Sequence, residues 1–137
     1  MAYDKFSAEI LTPEGEVFND EVEMISTRTT TGSIGILAGH EPVLAMLEPT
    51  ELRLYKTQSE VVRFAQAEGY MQVSADRTML LVEEAHPPSE LDRALIQERL
   101  EQAERELQDA GEDSERRRVA ERDKRRLEQF LKIAESA

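Results

Sequence analysis

The chain has 137 residues, no cysteine and a formal net charge of −12. Without cysteine, disulfides, thiolate metal sites and cysteine nucleophiles are excluded, and a strongly acidic surface repels nucleic acid and anionic lipid. Charged residues make up 34% of the chain against 39% hydrophobic, so part of it is expected to be largely solvated.

The charge is unevenly spread. Residues 1–88 carry 6 Lys/Arg and 15 Asp/Glu, whereas residues 89–137 carry 11 and 14, with half their residues charged. Overall the balance favours a basic protein partner. The N-terminus lacks a basic stretch followed by an apolar run, and no window approaches the roughly 18 apolar residues of a membrane span. A cytoplasmic chain with no direct membrane insertion is expected, which still allows a peripheral place on a membrane assembly.

Phe6, Ala8 and Ile10 alternate with Ser7 and Glu9, the period-2 pattern of a strand with one buried face. Turn residues at Thr12–Glu16 lead to a second short strand at Val17-Phe18, which Asn19-Asp20-Glu21 is expected to end. Val22 to Thr27 reads as another strand, with Val22 and Met24 on one face and Glu23 and Ile25 on the other. Next comes Thr29–Pro42, with Gly32, Gly35 and Gly39 among Ile34, Ile36 and Leu37, a backbone expected to bend tightly while burying aliphatics. Val43 to Leu47 is apolar throughout and fits either a buried strand or a single helical turn.

Two hairpins follow. Leu52 and Leu54 pair with Val62, Phe64 and Ala65 through Lys56–Ser59, and Tyr70–Val73 with Met79–Val82 through Ser74–Thr78. Gly69 marks a bulge or a close approach of backbones. Pro87-Pro88 ends this regime, because proline donates nothing to a sheet ladder and restricts the residue before it.

Beyond that boundary Ser89 is the expected N-cap, in a Ser-x-x-Asp box with Asp92. Ile96, Leu100, Ala103, Leu107 and Ala110 recur at spacings of 4, 3, 4 and 3 on a charged helix. Gly111 stops it, and Asp113 or Ser114 caps a second helix whose stripe reads Ala120, Leu127, Phe130/Leu131 and Ala134. The short loop folds the two back antiparallel. The expected architecture is therefore α+β: an all-β sandwich of short antiparallel strands over 1–87, then an antiparallel two-helix hairpin over 88–137.

Several chemistries are weak here. Gly32-Ser33-Ile34-Gly35 is neither a Walker loop nor a dinucleotide fingerprint, and no helix follows it to present amides to a phosphate. His40 and His86 lie 46 positions apart with no carboxylate at ligand spacing, so no metal is expected. No nucleophile elbow frames Ser26 or Ser33, and no catalytic residue or cofactor is expected. Arg116, Arg117, Arg118, Arg122, Lys124, Arg125 and Arg126 gather on the second helix. They form either a solvated face balanced by Glu98, Glu101 and Glu104, a docking surface for acidic protein, or a phosphate site.

Gly32, Gly35, Ile36, Leu37, His40, Pro42 and Leu44, after a run of threonines, together resemble the signature of the epsilon subunit of F-type ATP synthases. Ile10–Gly15 and Glu68-Gly69-Tyr70 are similar to that family as well, and the resemblance spans essentially the whole chain. It implies a non-catalytic subunit of the rotating central stalk, peripheral on the cytoplasmic face of the cell membrane, that couples proton flow to ATP synthesis. The sandwich would bind the gamma subunit and the c-subunit ring, the latter through Thr31, Gly32, Ser33 and His40. The hairpin would inhibit ATP hydrolysis, with Arg116, Arg118, Arg122, Arg125 and Arg126 meeting the alpha and beta subunits of the catalytic head. Some members bind ATP as a regulatory ligand through Ile/Leu-Asp-x-x-Arg-Ala. Leu91, Asp92, Arg118 and Arg125 match parts of that site, but Leu95 and Ile96 stand at its Arg and Ala positions. Ala38 replaces a usual proline. The competing reading is a β-sandwich adaptor with a coiled-coil-forming tail.

Overall fold

The computed structural model describes residues 3–136. Contacts divide the chain into a first unit ending at Pro87 and a second beginning at Pro88.

The first unit contains ten strands: β1 (Phe6–Thr12), β2 (Gly15–Val22), β3 (Met24–Thr29), β4 (Gly32–Leu37), β5 (Val43–Leu47), β6 (Thr50–Tyr55), β7 (Val61–Gln66), β8 (Gly69–Val73), β9 (Arg77–Val82) and β10 (Ala85–His86). Strands β4, β3, β6, β7 and β10 form one layer; β5, β8, β9, β1 and β2 form the other. The layers are stitched where Thr29 pairs with Leu47. All pairings are antiparallel except β1 with β9, where Ser7 to Leu11 run parallel to Arg77 to Leu81. Between the layers pack Phe6, Ile10, Ile25, Ile36, Leu52, Leu54, Met71 and Leu80 with smaller neighbours. The alternation of these residues along their strands is what gives each layer one dry face.

Four local expectations are corrected. Strand β2 does not stop at Asn19-Asp20-Glu21: the ladder continues as Glu9↔Asn19, Ala8↔Asp20 and Ser7↔Glu21. On an edge strand the acidic side chains stay in water while the backbone still finds partners, and the charge guards the edge. The chain bends at Glu23 instead, so Ile25, Thr27 and Thr29 face inward and Met24 outward, opposite to the face assignment expected for Met24. Val43–Leu47 is a strand, but Leu44 and Met46 point to solvent at 71% and 55% exposure. Of the aliphatics Ile34, Ile36 and Leu37 in the glycine-rich stretch, Ile36 is buried, Ile34 is half-buried and Leu37 is exposed.

Gly69 is a close approach. A Cβ there would collide with the Leu81 carbonyl oxygen and lie 2.7 Å from Val82 Cα. No side chain fits, because what it would meet is the backbone of the paired strand.

The second unit opens with a 3-10 turn at Pro88–Glu90, followed by α1 (Arg93–Asp109) and α2 (Ser114–Ser136). Ser89 lies in the turn, and Asp92 is the N-cap, its carboxylate accepting the Leu95 N–H at 3.1 Å. Two consecutive prolines delay helix entry until the backbone is free of them. Gly111, at φ +56°, closes α1, and Asp113 caps α2 by accepting the Arg116 N–H at 3.1 Å. Buried residues are Ile96, Leu100, Ala103 and Ala110 facing Ala120, Phe130 and Ile133. Ile133 takes a seam position that the stripe through Leu131 and Ala134 left out, while those two are half-buried. Arg93–Glu135 at 3.4 Å and Arg116–Glu106 at 3.6 Å tie the two ends of the helix pair.

Candidate functional site

The β3–β4 turn holds three of the four residues expected at the rotor-ring end. Thr29 is buried and organises it: its Oγ1 accepts the Thr31 N–H at 3.2 Å and contacts the Gly32 carbonyl and Thr31 Oγ1, each at 3.0 Å. Gly32, at φ +130°, supplies a backbone conformation that L side chains rarely adopt. Thr30 N–H donates to the Met46 carbonyl at 3.0 Å, which ties this turn to β5. Thr31 and Ser33 are exposed. His40 lies in the loop after β4, where its Nδ1–H donates to the Glu41 carbonyl at 2.7 Å and its N–H to the Leu37 carbonyl at 3.1 Å. Thr30, Thr31 and Ser33 lie at the surface, and His40 is half-buried. No carboxylate is hydrogen-bonded to the His40 ring among the described residues.

Two features here had no local signal. Gln66 is fully buried; Thr27 Oγ1 donates to its Oε1 at 2.6 Å, and its Nε2–H donates to the Glu48 carbonyl at 2.9 Å. This satisfied polar bridge pins β3, β7 and the β5–β6 turn together, fixing the base from which the Thr29 turn projects. The second is an apolar row on the solvent side of the β5–β1 layer. Met46 pairs with Tyr70, Tyr70 with Leu81 and Leu81 with Leu11, and Leu44 stands two residues along β5. Leu44, Met46, Tyr70 and Leu81 are 71%, 55%, 52% and 48% exposed. Contiguous exposed apolar side chains on a sheet mark a contact surface.

The basic helix is partly self-satisfied. Glu115 grips Arg118 with both oxygens, at 2.5 Å to Nη2 and 3.3 Å to Nε. The Arg118 hydrogen bond and charge hold the Glu115 carboxyl below its usual range, and Glu115 in turn raises the guanidinium. Arg122 contacts Asp123 at 3.2 Å and Arg116 contacts Glu106. Arg126 is half-buried, and desolvation lowers its guanidinium. Arg125 is exposed and has no ion-pair partner among the described residues. Of the residues expected to touch ATP, Asp92 is occupied as the α1 cap and Arg118 by Glu115, while Leu91 is half-buried before the helix. At the two departing positions Leu95 is exposed and Ile96 is in the seam.

Among the described residues no group of three or more His, Asp or Glu is arranged to hold a metal, and no helix is long and apolar enough to cross a membrane.

Comparison with known proteins supplies a family. Residues 5–88 match the ATP synthase delta/epsilon chain β-sandwich domain. The ATP synthase epsilon chain of Priestia megaterium is 38% identical over 105 residues, 76% of this chain and 77% of that one. That of Persephonella marina is 36% identical over 130 residues, 94% and 96% of the two chains. Among solved structures, a chain of the Euglena gracilis mitochondrial ATP synthase OSCP/F1/c-ring assembly superposes with a TM-score of 0.78 at 23% identity, covering 92% of this chain and 79% of its own. A chain from the Tetrahymena thermophila mitochondrial central stalk and c-ring gives 0.55 at 23% identity, over 66% and 72%. A sandwich matched over more than half the chain, and relatives that match through the hairpin, lead to one conclusion: the chain belongs to the delta/epsilon chain family of ATP synthases and is of the epsilon type.

Proposed function

We propose that the chain is a non-catalytic rotor subunit of the central stalk, docked through its sandwich and regulatory through its hairpin. The observation that carries the docking half is the row Met46–Tyr70–Leu81–Leu11 with Leu44. An acidic domain keeps these side chains in water only at a cost of roughly 25 cal/mol per Å² of apolar surface, which contact with the gamma subunit relieves. The Thr31-Gly32-Ser33 turn and His40 meet the c-subunit ring, joined to that row through the Thr30–Met46 hydrogen bond. Coupling to proton flow then follows from rigid attachment to the ring. In that setting the subunit is peripheral to the membrane.

The hairpin carries the inhibitory half. Its seam is narrow, and alanines hold three of its seven buried positions. Arg125 offers a free guanidinium to acidic loops of the alpha and beta subunits, and Arg116, Arg118 and Arg122 can exchange exposed partners for them at little loss, since surface ion pairs contribute about 0–1 kcal/mol. ATP does not gate the hairpin in this reading, because Asp92 caps α1 and Leu95 and Ile96 stand where the nucleotide motif has Arg and Ala.

The docking half is tested by Leu44→Glu with Met46→Glu in the full chain. Both side chains are exposed, so the melting temperature should hold within a few degrees, while co-purification with the gamma subunit is lost. Retained co-purification would reject this face as the gamma contact.

A further inference from the structure

The solvent side of the opposite layer has a different character. There the register sets Leu37, Met24, Tyr55 and Val61 in one row, and Gly35, Ser26, Arg53 and Arg63 in the next. Arg28 stands two residues beyond Ser26, on the same side of β3. Residues 1–88 carry only 6 Lys/Arg against 15 Asp/Glu, yet half of those cations gather here.

Their charge is not cancelled locally. One carboxylate oxygen, Glu51 Oε1, serves both Arg53 Nε at 2.8 Å and Arg63 Nη1 at 3.6 Å. Arg28 is exposed and has no ion-pair partner among the described residues. The Arg53 and Arg63 side chains remain 49% and 45% exposed. Arg53 Nε–H donates to Glu51 Oε1, and Glu51 first and then Tyr55 raise its guanidinium. These contacts also hold the fork in place, so less freedom is lost when a second carboxylate binds it. Arginine, tyrosine and methionine are the side chains enriched in protein interfaces, and here they sit beside exposed aliphatics at Leu37 and Val61.

We infer that this face binds an acidic, partly apolar segment of another polypeptide, its carboxylates on Arg28, Arg53 and Arg63 and an aliphatic side chain against the row through Tyr55. The acidic remainder of the domain repels an extended anionic surface such as a bilayer, whereas a short segment can lie within the basic band. The site is independent of the stalk-docking row, which belongs to the other layer.

The test titrates isotope-labelled full chain, at low salt, with a blocked seven-residue peptide alternating Glu and Leu, and with its Gln/Leu counterpart. Amide shifts should saturate along β3, β4, β6 and β7 with the Glu peptide alone. Arg53→Gln with Arg63→Gln should weaken binding by about tenfold or more while melting within a few degrees of the parent. Arg28→Gln, a residue without an ion pair to break, should weaken it more modestly. The proposal is overturned if the Glu peptide leaves this face unshifted at millimolar concentration, if the Gln peptide binds equally, or if shifts are confined to the α2 arginines. Concentration-dependent shifts of this face without peptide would likewise overturn it, by making a second copy the occupant.

Discussion

Gly69→Ala isolates the tightest point of the sandwich. The added methyl carbon would fall against the Leu81 carbonyl oxygen, far inside van der Waals contact, and 2.7 Å from Val82 Cα, both backbone atoms of the paired strand. Relief requires β8 and β9 to separate, and with them the Met71–Leu80 pair at the centre of the core. Overpacking of a core ordinarily costs about 1–3 kcal/mol, and a clash with backbone belongs at or above the top of that range. For a unit of this size each kcal/mol lowers the melting temperature by roughly 4–8 °C, so a fall of roughly 12–24 °C is expected. Calorimetry of the full chain reads it, with the methyl resonances of Met71 and Leu80 identifying the sandwich transition. Gly35→Ala is the control: nothing lies within 4 Å of the point where its Cβ would stand and its φ is ordinary, so its effect should stay within about 1 kcal/mol. A fall below about 4 °C for Gly69→Ala, or equal falls for both variants, would refute the packing argument.

Two further outcomes follow from the hairpin. Arg118 depresses the Glu115 carboxyl in the folded state, so this pair's contribution is present above the unfolded carboxyl range and is lost as pH falls through the lowered folded value. Carboxyl resonances should show Glu115 titrating below the unpaired glutamates, and Arg118→Gln should abolish the difference. ATP titrated calorimetrically into the full chain should give no binding heat at millimolar concentration, because Asp92 caps α1 and Ile96 is buried in the seam; saturable heat would show that the hairpin rearranges around nucleotide.

What could be read from the residues alone depended on how local the cause was. The hairpins through Lys56–Ser59 and Ser74–Thr78, the stop at Pro87-Pro88 and the two helices were legible because turn chemistry and periodicity act over a few residues. Gly69 was legible too, as a glycine between apolar strands. The continuation of β2 through Asn19–Glu21 was not, because its hydrogen bonds come from β1 and its side chains never leave water. Ser89 has the chemistry of a cap, but proline's delay of helix entry passes that role to Asp92. The apolar row through Tyr70 and the arginine row through Ser26 are products of register: each draws neighbours from four strands, and no window of sequence contains them. Gln66, a polar residue at the end of an apolar strand, gave no sign that Thr27 and Glu48 would bury and satisfy it.

The most direct measurement compares ATP hydrolysis by the complex reconstituted with the full chain and with residues 1–87 alone. The division at Pro87 makes the shorter chain a compact unit that keeps both the Thr31 turn and the Leu44–Tyr70 row. It should enter the complex as well as the full chain does and leave hydrolysis faster. Incorporation with an unchanged hydrolysis rate would contradict an inhibitory hairpin.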